Sequence, residues 1–148
     1  MENLRFSISI NAPRQHVWDT MLGADTYLTW SAAAWPGSSF TGDWSEGSEM
    51  RFGGEGGGTA ARITESRPPE RLSAEHFAVI SADGTLDRDS DMAKSWIGST
   101  ETYTFDEHNG ATEIVVDLTV PFDWVSEFEE SWPKGLQALR ELAESRTA

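Results

Sequence analysis

The sequence predicts an α+β fold in which a curved antiparallel sheet of about six or seven strands wraps around one long C-terminal helix, with two short helices after strand 1. Three observations carry this. Residues 123–144 space Trp124, Val125, Phe128, Trp132, Leu136, Leu139, Leu142 and Ala143 mostly three or four apart, which places them on one stripe of a helix. Residues 35–120 break into short runs separated by frequent turn residues, the mark of antiparallel strands. Between the N-terminal strand pattern and these runs, two short stretches carry helical spacing. At 148 residues, one domain spanning 1–148 is expected.

Residues 4–11 alternate, with Phe6, Ile8 and Ile10 set against Arg5, Ser7 and Ser9, the period of a half-buried strand. Asn11-Ala12-Pro13 then opens a helix, with Asn11 or Ala12 near its cap and Pro13 in its first turn. Val17, Trp18, Met21 and Leu22 share its face, and Gly23 closes it. Asp25 is placed to cap a second short helix holding Tyr27, Leu28 and Trp30. Strands are expected over 38–41, 49–53, 59–66 and 71–81. The glycine-rich run 53–58 lacks the Lys-Ser/Thr and the following helix of a phosphate loop, so it reads as a flexible hairpin tip.

Residues 82–97 are acidic and read as a loop, with Met92–Trp96 rejoining the sheet. Asp87-Arg88-Asp89-Ser90-Asp91 lacks the glycine and the bidentate glutamate of a calcium loop. Residues 100–106 alternate again, with Glu101, Tyr103 and Phe105 on one face; His108-Asn109-Gly110 is a hairpin turn, and Ile114, Val116, Leu118 and Val120 mark the last strand. Pro121 ends that strand and Asp123 is placed to cap the long helix. About 22 residues at ~1.5 Å each give that helix roughly 33 Å. Pro133 inside it predicts either a bend or a fresh start capped by Ser131.

Composition narrows the function classes. Eleven Lys plus Arg against 25 Asp plus Glu leave a net charge of −14, which disfavours nucleic acid and anionic membrane surfaces. No cysteine is present, which removes disulfides, thiolate nucleophiles and thiolate metal sites. His16, His76 and His108 are isolated, so neither a metal site nor a cofactor is expected. No signal peptide or membrane span is recognisable, and a cytoplasmic protein is expected.

Ala, Ser, Gly and Thr are common on the strands, too small to fill the grip solidly, so a cavity is expected between sheet and helix. Trp18, Trp30, Trp35, Trp96, Trp124 and Trp132 are the aromatic candidates for its wall, and Trp30, Trp35 and Phe52 are placed near its mouth. The expected binding set is Trp30, Trp35, Phe52, Ile63, His76, Glu101, Tyr103, Trp124, Phe128 and Trp132. Strand alternation puts Glu101 beside two aromatics, where a carboxylate must be paired or protonated, and His76 is the available partner. The plainer arrangement, a pair at the sheet edge or an exposed His76 beside Glu75, is the favoured one on sequence alone. His16 and His108 read as surface residues.

Four stretches, in this order, resemble one known superfamily. They are Ile8-Ser9-Ile10-Asn11-Ala12-Pro13 with Val17-Trp18; Leu28-Thr29-Trp30 followed by Gly42-Asp43-Trp44-Ser45-Glu46-Gly47-Ser48; Glu101-Thr102-Tyr103-Thr104-Phe105 with Gly110-Ala111-Thr112-Glu113-Ile114; and Trp132-Pro133-Lys134-Gly135-Leu136 with Leu139 and Leu142. The chain resembles the START-like superfamily (SRPBCC, the helix-grip fold), and within it the branch named for the activator of the heat-shock protein 90 ATPase. The resemblance implies a helix-grip fold and a ligand cavity but no single activity, since relatives include lipid carriers, polyketide cyclases and chaperone activators. The eukaryotic co-chaperones carry a separate N-terminal domain, for which 148 residues leave no room, and this lowers the co-chaperone reading.

Three functions follow as expectations. The leading one is a binding protein, not an enzyme, holding a small apolar or amphipathic molecule between sheet and helix. The second is an enzyme of the polyketide cyclase or hydrolase type using His76 and Glu101 as acid and base. The third is an interaction module that contacts a chaperone through its acidic surface, in keeping with a stress-response role. Either a monomer or a homodimer is compatible with the sequence.

Overall fold

The alternating segments fold into one antiparallel sheet because each buries one face and solvates the other. In the computed structural model, which describes residues 1–54 and 56–145, β1 (Glu2–Ile10) is followed by α1 (Arg14–Leu22) and α2 (Ala24–Ser31). Then come β2 (Ser39–Thr41), β3 (Glu49–Gly54), β4 (Gly57–Arg67), β5 (Arg71–Ile80) and the two-residue β6 (Leu86–Asp87). Helix α3 (Asp91–Trp96) leads to β7 (Thr100–His108) and β8 (Ala111–Val120), and a 3₁₀ turn (Phe122–Trp124) leads to α4 (Val125–Ser145). The strand order is β1-β8-β7-β5-β4-β3-β2, with β6 paired to β5 outside this path. Register shifts at Ala60/Ala61 and Ile63/Glu65 mark irregularities between β4 and β5 of the kind that bend a sheet.

Helix α4 lies across this curled sheet, packed on β1 and α2. It runs without interruption through Pro133, which removes the alternative of a separate helix starting at Ser131. Its two halves differ. From Trp132 onward Trp132, Leu136, Leu139 and Ala143 are buried, whereas Val125 and Phe128 in the first turns, and Trp124 just before them in the 3₁₀ turn, are only half-buried. Gly135 permits the close approach of α2: a Cβ there would lie 3.2 Å from the Ala34 methyl and 3.4 Å from the Trp30 ring.

Several local expectations need correction. Pro13, extended at ψ 152°, is the cap of α1 instead of a first-turn residue. Gly23 precedes α2 directly, so Asp25 sits in its first turn and complements the helix dipole there without capping it. Asp123 lies inside the 3₁₀ turn that Pro121 starts. Met92–Trp96 is not a strand but part of α3: the Ser90 hydroxyl accepts from the Ala93 backbone N–H at 3.1 Å, Asp91 occupies the first turn and Lys94 the last. His16 is half-buried, not a surface residue, with its Nε2 2.9 Å from the Ala143 carbonyl. His108 is exposed, and the turn after it works as read, with Asn109 (φ 54°) and Gly110 (φ 82°) both left-handed. Glu55, in the glycine-rich run read above as a hairpin tip, lies outside the described residues.

Candidate functional site

The sheet comes apart at His76, and the site forms there. Below that point β5 pairs with β7 as far as Glu75 opposite Thr100. Above it β5 pairs with β6 through Val79 and Ile80, and the connection through α3 fills the opening. The His76 backbone still bonds across the gap, its N–H to the Ser99 carbonyl at 2.8 Å and its carbonyl to the Gly98 N–H at 2.9 Å. Between this end of the sheet and the half-buried part of α4 lies a cavity of about 910 Å³. The glycine hairpin of β3 and β4 forms one wall, and α3, the segment after α2 and α4 form the others.

Of the expected binding set, Trp30, Trp35, Phe52, His76, Glu101, Tyr103, Trp124, Phe128 and Trp132 all line this space. Ile63 does not: along β4 the cavity reaches only Gly57, Gly58 and Thr59, and Ile63 is fully buried further down the strand. Trp18 is also placed elsewhere, packed on Phe105 at 5.1 Å between ring centres. Tyr27, Val79, Ile80 and Met92 line the cavity without having been singled out. Tyr27 shares its helix with Trp30 one turn on, so helical spacing offered a signal for it.

The walls are a connected set of rings. Trp96 packs on His76 at 5.8 Å, on Trp124 at 5.4 Å and on Phe128 at 5.9 Å. Trp35 bridges Phe128 at 6.4 Å and Trp132 at 5.1 Å. Trp30 turns its indole N–H away, donating it to the Met21 carbonyl at 3.1 Å, so it adds only apolar surface to the cavity.

One polar cluster interrupts this surface. Ala74 is opposite Glu101, which makes His76 the diagonal neighbour of Glu101 on the same face. A carboxylate can only accept, so His76 donates Nε2–H to Glu101 Oε1 at 2.9 Å and Tyr103 donates its hydroxyl to Oε2. This replaces the sheet-edge or exposed arrangement favoured on sequence alone: His76 is 3% exposed and both side chains border the cavity. Burial favours the neutral form of Glu101, but the His76 and Tyr103 donors outweigh it and hold the carboxyl below its usual range. Burial, with the Glu101 charge and hydrogen bond, raises the Tyr103 phenol well above its usual value. Burial pushes Tyr27 up to about 12; a Ser38 hydrogen bond pulls it back in part, and the Glu101 charge adds to the rise. His76 Nδ1 is buried with no hydrogen-bond partner, so the polar group that a ligand can reach is the Glu101 carboxylate, 24% exposed.

A depressed folded-state pKa at Glu101 stabilises the fold above the ordinary carboxyl pKa of ~4.3. That contribution is lost as pH falls through the lower folded-state value. Glu101→Gln is therefore expected to flatten stability against pH on the acid side of ~4.3. Urea titrations of both proteins from neutral to acid pH check this; parallel acid limbs would show that Glu101 is not held ionised.

Among the described residues no group of three or more His, Asp or Glu side chains is arranged to hold a metal ion, and no helix is long and apolar enough to cross a membrane. The fold is shared with solved structures of low sequence identity. A protein from Mesorhizobium loti aligns with a TM-score of 0.77 at 12% identity, covering 99% of this chain and 100% of the other. The Aha1 dimer from Colwellia psychrerythraea aligns at 0.74 and 18% identity, with 100% of each chain covered. CalU16 from Micromonospora echinospora aligns at 0.67 and 17% identity, covering 97% of this chain and 76% of the other. No curated protein matches the sequence. The family model described as Activator of Hsp90 ATPase homolog 1-like protein matches residues 11–144, and with the curled sheet, the gripped C-terminal helix and this cavity in place, the chain belongs to that family.

Proposed function

We propose that the protein binds a small amphipathic molecule, its apolar body among the aromatic walls and its polar group at the Tyr103–Glu101–His76 end. The observation that carries this reading is the 910 Å³ cavity lined by rings with one polar cluster in its wall. That volume and that mixture are typical of small-molecule sites. Nile red, a neutral apolar dye, is the probe for a first test. It is expected to bind with increased emission, and native mass spectrometry of the purified protein is expected to show a co-purifying small molecule. Val79→Phe would add a ring to the lining of β5 without touching the polar cluster. It should weaken dye binding while leaving the melting temperature unchanged or raised. A dye that binds wild type and variant equally, or neither, would overturn the reading.

The hydrogen-bonded pair His76–Glu101 also supports a second reading, acid–base catalysis on a bound molecule. In this geometry Glu101 is the accessible partner and His76 the positioning residue, because its remaining nitrogen is buried. Turnover of a panel of polyketide-like or ester substrates that vanishes in Glu101→Gln would support catalysis; absence of turnover leaves binding as the function. Chaperone contact is a third proposal, drawn from the family's description, and enrichment of an Hsp90-type chaperone in a pull-down is its test. Homodimer formation is likewise a proposal, drawn from the dimeric Colwellia relative.

A further inference from the structure

Resting on the binding reading above, we infer that the ligand is an organic cation: an apolar body carrying an amine or quaternary ammonium nitrogen.

The charges on the lining set the sign. Glu101 lies in the wall and the exposed Glu127 at the rim, on α4 immediately before Phe128. Among the described residues no lysine or arginine lines the cavity, and His76 is its one imidazole. Two carboxylates against at most one imidazolium leave the lining net negative in either state of His76. Apart from His76, whose Nε2 is already taken by Glu101, the lining therefore has no counter-ion for a carboxylate, sulfate or phosphate ligand. Burying such a group beside Glu101 without a partner is disfavoured by desolvation and by like-charge repulsion.

The rings add a preference for positive charge. Trp35, Trp96, Trp124 and Phe128 all line the cavity and stand at steep angles to one another, so their planes differ in direction, and an aromatic face carries a negative quadrupole. A cationic nitrogen inside the cavity would lie among these rings and beside one carboxylate. The Glu101 oxygens already accept from Tyr103 and His76 and are held in place, so the negative charge is preorganised. The net charge of −14 attracts a cation from solution, which favours encounter but selects nothing by itself.

Three competitors of Nile red with one hydrocarbon chain separate the possibilities: decyltrimethylammonium, decanol and decanoate, each below its micellar concentration. The expected order of affinity is ammonium, then alcohol, then carboxylate, with the ammonium roughly tenfold tighter than the alcohol. Glu101→Gln and Glu127→Gln are each expected to lower the ammonium-to-alcohol affinity ratio at fixed ionic strength. Glu127 is exposed, so its variant keeps the test sound if Glu101→Gln folds poorly. Equal binding of ammonium and alcohol, or tightest binding of decanoate, overturns the cation inference and leaves the cavity reading standing. A wild-type ratio in both variants also overturns it, since the preference would then come from the general surface charge. Failure of all three competitors and of Nile red removes the cavity reading and the inference together.

Discussion

Trp132→Ala is expected to cost about 3–5 kcal/mol of folding stability, the largest loss of any single truncation considered, and to abolish Nile red binding. Trp132 is 4% exposed in the third turn of α4, where the tightly packed part meets the part that covers the cavity. Its ring meets Phe6 on β1 at 6.4 Å, Trp30 on α2 at 6.4 Å, Trp35 at 5.1 Å and Tyr103 on β7 at 6.0 Å. Four separate parts of the chain therefore lose a partner at once. The surrounding rings are held by other contacts, Trp30 through its bond to Met21 and Tyr103 through Glu101, so they cannot collapse into the space. A void that cannot close costs most. The same void would merge with the ligand cavity, which is why binding should fall with stability. Trp132→Phe keeps part of the ring surface and should recover part of both. Guanidinium denaturation of the three proteins checks the order; a loss below ~1.5 kcal/mol for Trp132→Ala would show that the ring is a lining group and not the hub of the core.

The importance of Trp132 was readable from spacing alone, and so was most of the fold. A side chain's face depends on the period of its own segment, which a single stretch of sequence contains. β1, β7, β8 and α4 were placed by that rule. What depends on two segments at once was less legible. Alternation pairs Glu101 with Tyr103 and Phe105 on one face, but whether that face looks inward and whether His76 meets it depend on the register of β5 against β7, which is set by packing at a distance, so the sequence favours the sheet-edge or exposed arrangement instead. Ile63 failed for a related reason. It shares the concave face of β4, but where the cavity stops along that face depends on how far the α3 and α4 walls reach. Helix α3 was hidden by its composition. Six residues cannot show a helical period, and the run of aspartates before it suggested a solvated loop. Asp87 is itself a turn former, accepting from the Asp89 and Ser90 N–H groups at 3.0 Å each, and the usable signal was Ser90 as a cap ahead of Asp91.

Leu139→Ala, about two turns past the last cavity residue of α4, is expected to cost about 2–5 kcal/mol with no effect on dye affinity beyond that of partial unfolding. Leu139 is 0% exposed and its neighbours Leu136 and Ala143 on the same stripe are buried too, so truncation opens a new void in a filled region. Phe128→Ala, about three turns earlier on the same helix, makes the informative contrast. Phenylalanine truncation in a closed core ordinarily costs as much or more. Phe128, however, is half-buried and already borders empty space, so its removal enlarges a cavity that exists and creates none. Only the transfer part for a half-buried ring remains, about 1–1.5 kcal/mol. The dye should respond in the opposite sense, losing affinity with Phe128→Ala and keeping it with Leu139→Ala. Equal stability costs in urea denaturation would mean that α4 packs evenly along its length and that its N-terminal half does not arch over open space. A cost below ~1 kcal/mol for Leu139→Ala would mean that this stripe is not the core face of α4.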